Sequence, residues 1–107
     1  MRSGKVFIKD VLAGKVWEAE GNFGFQYREA YVKNPVHGPV SLTLPVREEA
    51  YIQKTMIPFF DGLIPEGWLL NLAAKNWKLN PRDRMELLLT VCKDCIGDIS
   101  IERISNE

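Results

Sequence analysis

Two cysteines, Cys92 and Cys95, stand two residues apart in Cys92-Lys93-Asp94-Cys95, the spacing of a dithiol redox motif. In that chemistry a thiolate attacks a disulfide, and a position near a helix start lowers the thiol pKa. Here the pair closes a helical pattern, at the end where the dipole raises a thiol pKa instead. The βαβ setting of such a motif is missing upstream. Two thiols do not complete a four-ligand zinc site, and His37, the sole histidine, sits in a turn between Val36 and Gly38-Pro39. Gly21-Asn22-Phe23-Gly24 separates two strand-like runs and opens no helix, so it does not make a phosphate-binding loop. The expectation is a protein that is not an enzyme, with reduced thiols and no catalytic residues, metal or cofactor. A dithiol redox protein using Cys92 and Cys95 is the alternative from another class.

The stronger chemical signal is apolar contact. It runs from Ile57-Pro58-Phe59-Phe60-Asp61-Gly62-Leu63-Ile64-Pro65-Glu66-Gly67-Trp68-Leu69-Leu70 into a helical pattern that ends at Asn80. Pro65 suits the first turn of a helix, where a missing N–H costs nothing, and Glu66 puts a negative charge at the positive helix end. Trp68, Leu69, Leu70, Leu72, Ala73, Ala74, Trp77 and Leu79 then cover about two thirds of the helix circumference at roughly 100° per residue. A surface helix needs an apolar stripe only a little over ~100° wide. The excess predicts a protein partner. The expected contact residues are Phe59, Phe60, Asp61, Leu63, Ile64, Pro65, Glu66, Gly67, Trp68, Leu69 and Leu72. Phe59 and Phe60 are adjacent, so at least one of them packs inward, whereas Trp68 is equally at home in a core or on an interface. Trp17 and Trp77 read most simply as core.

Fourteen basic residues balance fourteen acidic ones in 107 residues, so no net field favours nucleic acid or an anionic membrane. Binding to generic duplex DNA or RNA should be weak and only shallowly salt-dependent. No apolar run approaches the ~20 residues of a membrane span. Met1-Arg2-Ser3-Gly4-Lys5 leads into alternation rather than a signal-peptide core, which makes a cytoplasmic protein the default.

The elements that must position the contact segment come mainly before it. Val6-Phe7-Ile8-Lys9 reads as a strand, Ala13-Gly14-Lys15 as a turn, and Val16-Trp17-Glu18-Ala19-Glu20 and Phe23-Gly24-Phe25-Gln26-Tyr27 as the next strands of an antiparallel meander. Asn34-Pro35 and His37-Gly38-Pro39 mark a loop. Val40-Ser41-Leu42-Thr43-Leu44 alternates as a strand closed by Pro45, and residues 46–57 read as loop. Asn80-Pro81-Arg82-Asp83 starts a second helix, with Asn80 at the N-cap and Met85, Leu88, Leu89 and Cys92 facing the core. Gly97 stops it, and Ile99, Ile101 and Ile104 suggest a last strand. The predicted fold is one α+β domain over residues 1–107: a small antiparallel sheet of four or five strands with two consecutive helices packed on it.

Three segments, in order, resemble motifs of one family. Val40-Ser41-Leu42-Thr43-Leu44-Pro45 is similar to the "PLSLSLP" strand of HipA-type kinases. Phe59-Phe60-Asp61-Gly62-Leu63-Ile64-Pro65-Glu66-Gly67 resembles their "FFxxLLPEG" segment, and Met85-Glu86-Leu87-Leu88 with Lys93-Asp94-Cys95-Ile96-Gly97-Asp98 resembles their "LLxxxGRDCxGA" ending. The match covers the small N-terminal subdomain from about Val6 to Ile101. In the kinases a much larger catalytic domain follows; here about ten residues follow, so no kinase residue is carried over. Trp68-Leu69-Leu70 also replaces the polar residues frequent in the family after Pro-Glu-Gly. A free-standing subdomain of this kind is similar to HipS, the small antitoxin of tripartite HipBST systems. The resemblance implies an antitoxin-like protein that binds and inhibits a HipA-type Ser/Thr kinase toxin lacking this subdomain. It leaves open a third, DNA-binding protein in the complex, and also the alternative of an excised, non-catalytic lobe of a full-length kinase.

Overall fold

Two-residue turns connect the first three strands. In the computed structural model, which describes residues 2–64, 82–91 and 98–104, strands β1 (Arg2–Ile8), β2 (Val11–Ala19) and β3 (Asn22–Tyr27) form an antiparallel meander. Lys9 and Asp10 join the first pair with φ of 48° and 68°, and Glu20 and Gly21 join the second with 53° and 79°. Positive φ at both central residues gives a turn whose twist matches that of the flanking strands. The connection therefore falls at Lys9-Asp10, not at Ala13-Gly14-Lys15 as the glycine suggests.

Gly14 lies inside β2, where a Cβ would come within 2.4 Å of the Gln26 carbonyl oxygen and 3.0 Å of the Phe25 ring. Its lack of a side chain serves close strand approach rather than a turn. Opposite it, the β1–β2 register shifts between Val6 and Phe7.

Strand β4 (Tyr51–Gln53) pairs with β3, and β5 (Ile99–Arg103) pairs with β1, completing an antiparallel sheet in the order β4-β3-β2-β1-β5. The short β4 arises within residues 46–57, where a loop was expected. The expected last strand is present, with Ile101 buried and Ile104 just beyond its end.

Helix α1 (Glu29–Lys33) follows β3, with no counterpart in the sequence prediction; a Lys33–Glu29 pair at 3.2 Å links its ends. Helices α2 (Pro58–Asp61) and α3 (Arg84–Val91) cover one face of the sheet. Met85, Leu87, Leu88 and Leu89 of α3 are all buried. Gly4 in β1 makes that approach feasible, since a Cβ there would come within 2.7 Å of Leu89 Cδ2. The helix begins at Arg84 with Asp83 as its cap: Asp83 Oδ1 accepts the Glu86 N–H at 3.3 Å, and its carbonyl accepts the Leu87 N–H at 3.1 Å. The cap expected at Asn80 is thus realised at Asp83; Asn80, Pro81 and the helix predicted from Pro65 to Asn80 lie outside the described residues. No helix among the described residues is long and apolar enough to cross a membrane.

Val40–Leu44 does not form the expected strand. Ser41 to Leu44 is a tight turn, with the Leu44 N–H donating to the Ser41 carbonyl at 3.0 Å and Thr43 N–H to Ser41 Oγ at 3.2 Å. The physical reason is a tyrosine. The Tyr27 hydroxyl accepts the Val40 N–H at 2.9 Å and donates to the Leu44 carbonyl, taking groups that a strand would offer to a neighbour. Burial pushes the Tyr27 pKa up to about 12, so the O–H stays protonated and can hold both partners. Val40 and Leu44 turn inward while Leu42 is 93% exposed, although strict alternation would place all three on one face.

Candidate partner-binding segment

The segment from Ile57 to Ile64 is a helical entry anchored by one aromatic side chain. Ile57 is extended (φ −58°, ψ 127°), and Pro58 occupies the first helical position, where its fixed φ fits. The Asp61 and Gly62 N–H groups then bond back to the Ile57 and Pro58 carbonyls at 3.0 and 2.9 Å. Leu63 and Ile64 continue the winding with bonds to the Phe60 and Asp61 carbonyls at 3.0 and 3.2 Å.

Phe60 is fully buried, its ring 5.2 Å from Phe25, which in turn sits edge-on to Tyr27 at 4.8 Å. Ile64 is 2% exposed. Both belong to the core, which corrects the expectation that they offer surface to a partner: apolar groups this deep have already left water. Phe59, edge-on to Phe60 at 5.1 Å, and Leu63 are only half-buried and pack against the core from outside. Of the adjacent phenylalanines, then, one pins the segment and the other remains partly at the surface. Pro65, Glu66, Gly67, Trp68, Leu69 and Leu72 lie outside the described residues, as do Cys92, Cys95 and Trp77.

Asp61 fixes the segment laterally. Its Oδ1 accepts Arg84 Nε at 2.6 Å, tying α2 to the first turn of α3. That turn is itself held by charge. Arg2 of β1 donates Nη1 to Asp83 Oδ2 at 2.8 Å and Nε to Glu18 Oε1 at 2.9 Å. Arg103 donates to Glu86, whose Oε2 also accepts Thr90 Oγ1 at 3.1 Å. The hydrogen bond from Arg2 holds the Asp83 carboxyl below the usual carboxylate range, helped by the Glu86 N–H and opposed by partial burial. β1, β2, β5 and α3 are thus linked at the end of the sheet nearest the segment's support. Nothing in the sequence pattern pointed to this network, since its guanidinium–carboxylate hydrogen bonds join residues 16 to 81 positions apart.

His37 lies in its predicted turn and is exposed; its backbone N–H donates to the Tyr31 hydroxyl at 3.1 Å. Trp17, expected in the core, is only half-buried and sits on the opposite face of the sheet. It packs there because Gly24 on the neighbouring strand leaves room: a Cβ at Gly24 would come within 2.4 Å of the indole carbons.

This architecture has known counterparts. The family model described as "HipA N-terminal domain" matches residues 4–102, and the chain belongs to that family. A solved structure titled "N-terminal domain of HipA toxin" superposes with a TM-score of 0.69 at 26% identity, covering 100% of this chain and 96% of that one. A protein of Haemophilus influenzae (strain Rd), described only as uncharacterized, is 30% identical over 102 residues, which are 95% of this chain and 92% of that protein. The Sinorhizobium fredii protein named "Putative kinase Y4mE" is 30% identical over 84 residues, which are 78% of this chain but only 20% of that protein. The five-stranded antiparallel sheet with a few helices is therefore the fold of HipA N-terminal domains, as the motif resemblance implied.

Proposed function

We propose that this chain is an antitoxin-like protein that binds a HipA-type Ser/Thr kinase lacking this domain and inhibits it, without catalysis of its own. The observation that carries the reading is a contrast of lengths. The same domain makes up 92% of the Haemophilus influenzae relative but only 20% of the Sinorhizobium fredii protein that bears the name of a kinase. A fold that closes its own core around Phe25, Phe60 and Leu88 can act from a separate chain on the kind of protein to which it is elsewhere joined. In this reading the protein works in the cytoplasm, and a third, DNA-binding protein can share the complex.

The contact centres on the segment from Phe59 to Leu72, with Phe60 and Ile64 as its internal support and Phe59, Asp61 and Leu63 at the edge of the interface. In this reading the sequence Leu63-Ile64-Pro65-Glu66-Gly67 carries Trp68 into the kinase cleft as a steric plug, and Glu66 pairs with a basic group or a backbone N–H. A proline-restricted turn loses less entropy on insertion than a free loop. Replacing Trp68 with Ala should weaken binding by about 2 kcal/mol, as for an interface hot spot, and leave the melting temperature of the free chain nearly unchanged. Unfolding of Trp68→Ala with residual binding intact would place the tryptophan in the core and remove the plug.

The Sinorhizobium fredii match also favours a second reading, a non-catalytic lobe of a longer kinase. The adjacent reading frame separates the two: a kinase without this domain fits the antitoxin, and a continuous kinase fits the lobe.

A further inference from the structure

Helix α2 has only four residues, too few to hold its own shape, so its geometry is set by what it touches. Phe60 and Ile64 are both buried and stand four residues apart, along one line of the winding. Two attachments on one line leave rotation about that line open; a third, off the line, closes it. Asp61 supplies the third. It follows Phe60 by one residue, roughly 100° around the winding, and its Oδ1 accepts Arg84 Nε at 2.6 Å.

Arg84 reaches out from a fixed base. It is the first residue of α3, between Asp83, which Arg2 holds at 2.8 Å, and Met85, which is fully buried. Glu86, one turn into the helix, is tied to Arg103 of β5 and lies 3.7 Å from Arg2. The Arg84 and Asp61 side chains are 27% and 43% exposed, and an ion pair so open to water adds little to folding stability. It does restrict direction, because a guanidinium–carboxylate bond is short and oriented. Every residue of the contact segment beyond Asp61, from Leu63 to Leu72, follows the heading set there. We propose that Arg84 is a positioning residue for partner binding: through Asp61 it fixes the direction in which the contact segment leaves the core. The inference rests on the kinase-binding reading for its partner, but the constraint itself belongs to the free chain. The Asp61 carboxylate then serves the domain's own geometry, and the partner feels it through the residues that follow.

The test pairs amide hydrogen exchange of the free chain with calorimetric titration into a HipA-type kinase that lacks this domain. Arg84→Met keeps the apolar stem and removes the donors. It should speed exchange of the Asp61, Gly62, Leu63 and Ile64 amides about fivefold, the scale of one partly exposed charged hydrogen bond. The Leu87 amide and the melting temperature should stay nearly unchanged, and kinase affinity should fall by about fivefold or more. The charge swap Asp61→Arg/Arg84→Asp should recover most of both losses, since it rebuilds the tie with the charges exchanged. Unchanged exchange and affinity in Arg84→Met would overturn the proposal. So would a swap that restores protection but not affinity, because Asp61 would then touch the partner directly. Faster exchange in Arg84→Met with no kinase binding by the wild type would uphold the constraint and remove the kinase reading instead.

Discussion

The two faces of the sheet are built from alternate residues of the same strands, yet they are closed in different ways. The inner face buries Val6, Val16, Phe25 and Ile101 under α2 and α3, with exposures of 0 or 1%. The outer face bears Lys5, Lys15 and Gln26, with Trp17 half-buried across Gly24 and Ile52 at 62% exposure on the edge strand. Each face uses a glycine to admit a neighbour: Gly4 admits Leu89 of α3, and Gly24 admits a single indole. One glycine thus lets a helix seal a core, while the other lets a side chain lie over the neighbouring strand. The difference teaches that, among the described residues, the helices close one face of the sheet while the other keeps its polar side chains at the surface.

Substitution of Phe60 by Ala should break the inner face. Removing a fully buried phenylalanine costs about 3–5 kcal/mol, and chemical denaturation should report a loss in that range. Tyr27→Phe should come next, since it strips the Val40 N–H and Leu44 carbonyl of their partner; an unsatisfied buried group costs about 1–3 kcal/mol. Trp17→Ala should cost only about 1–2 kcal/mol despite the larger side chain, because the indole is only partly buried and packs over Gly24 rather than inside the core. A loss for Trp17→Ala equal to that for Phe60→Ala would abolish the contrast between the faces.

Acid should act through the inner side as well. Asp83 has its folded-state pKa lowered, so it contributes stability above the usual carboxylate range, and that contribution is lost as pH falls through this range toward the folded value. Thermal melting between about pH 6 and about pH 3 should therefore fall more steeply for the wild type than for Asp83→Asn, all carboxylates having ordinary values near 4 when unfolded. The smallest effect belongs to Leu42→Ser. A residue that is 93% exposed at the tip of its turn should change stability by no more than about 0.5 kcal/mol.

Sequence patterning revealed the meander and the last strand, because each carries its own signal, period-two alternation; it placed the helix start at Pro65 and so did not show the helical turn that begins at Pro58. It also showed that one of Phe59 and Phe60 must turn inward, which Phe60 does. What it missed depends on contacts distant in the chain. The Lys9-Asp10 turn places a lysine at positive φ, and no local preference announces that. Val40–Leu44 alternates like a strand, but Tyr27, more than a dozen residues away, captures its backbone groups. Gly14 looked like a turn because its actual constraint, the Gln26 carbonyl at 2.4 Å from a hypothetical Cβ, lies on another strand. β4 has only three residues, too few for a periodicity to emerge. For the contact segment, the sequence distinguished apolar from polar positions but not buried from exposed ones. Hence Phe60 and Ile64 were grouped with residues that remain partly at the surface.

The central claim is that this domain acts on a kinase from a separate chain. The most direct measurement is the autophosphorylation rate of a HipA-type kinase that lacks its own copy of the domain, followed as purified chain is titrated in. Activity should fall to near zero around one equivalent, and Trp68→Ala that still binds should inhibit less completely. Unchanged phosphorylation at saturating chain, with no complex by analytical ultracentrifugation, would contradict the account. Full inhibition by bound Trp68→Ala would keep the inhibitor but transfer its action from the plug to the wider interface.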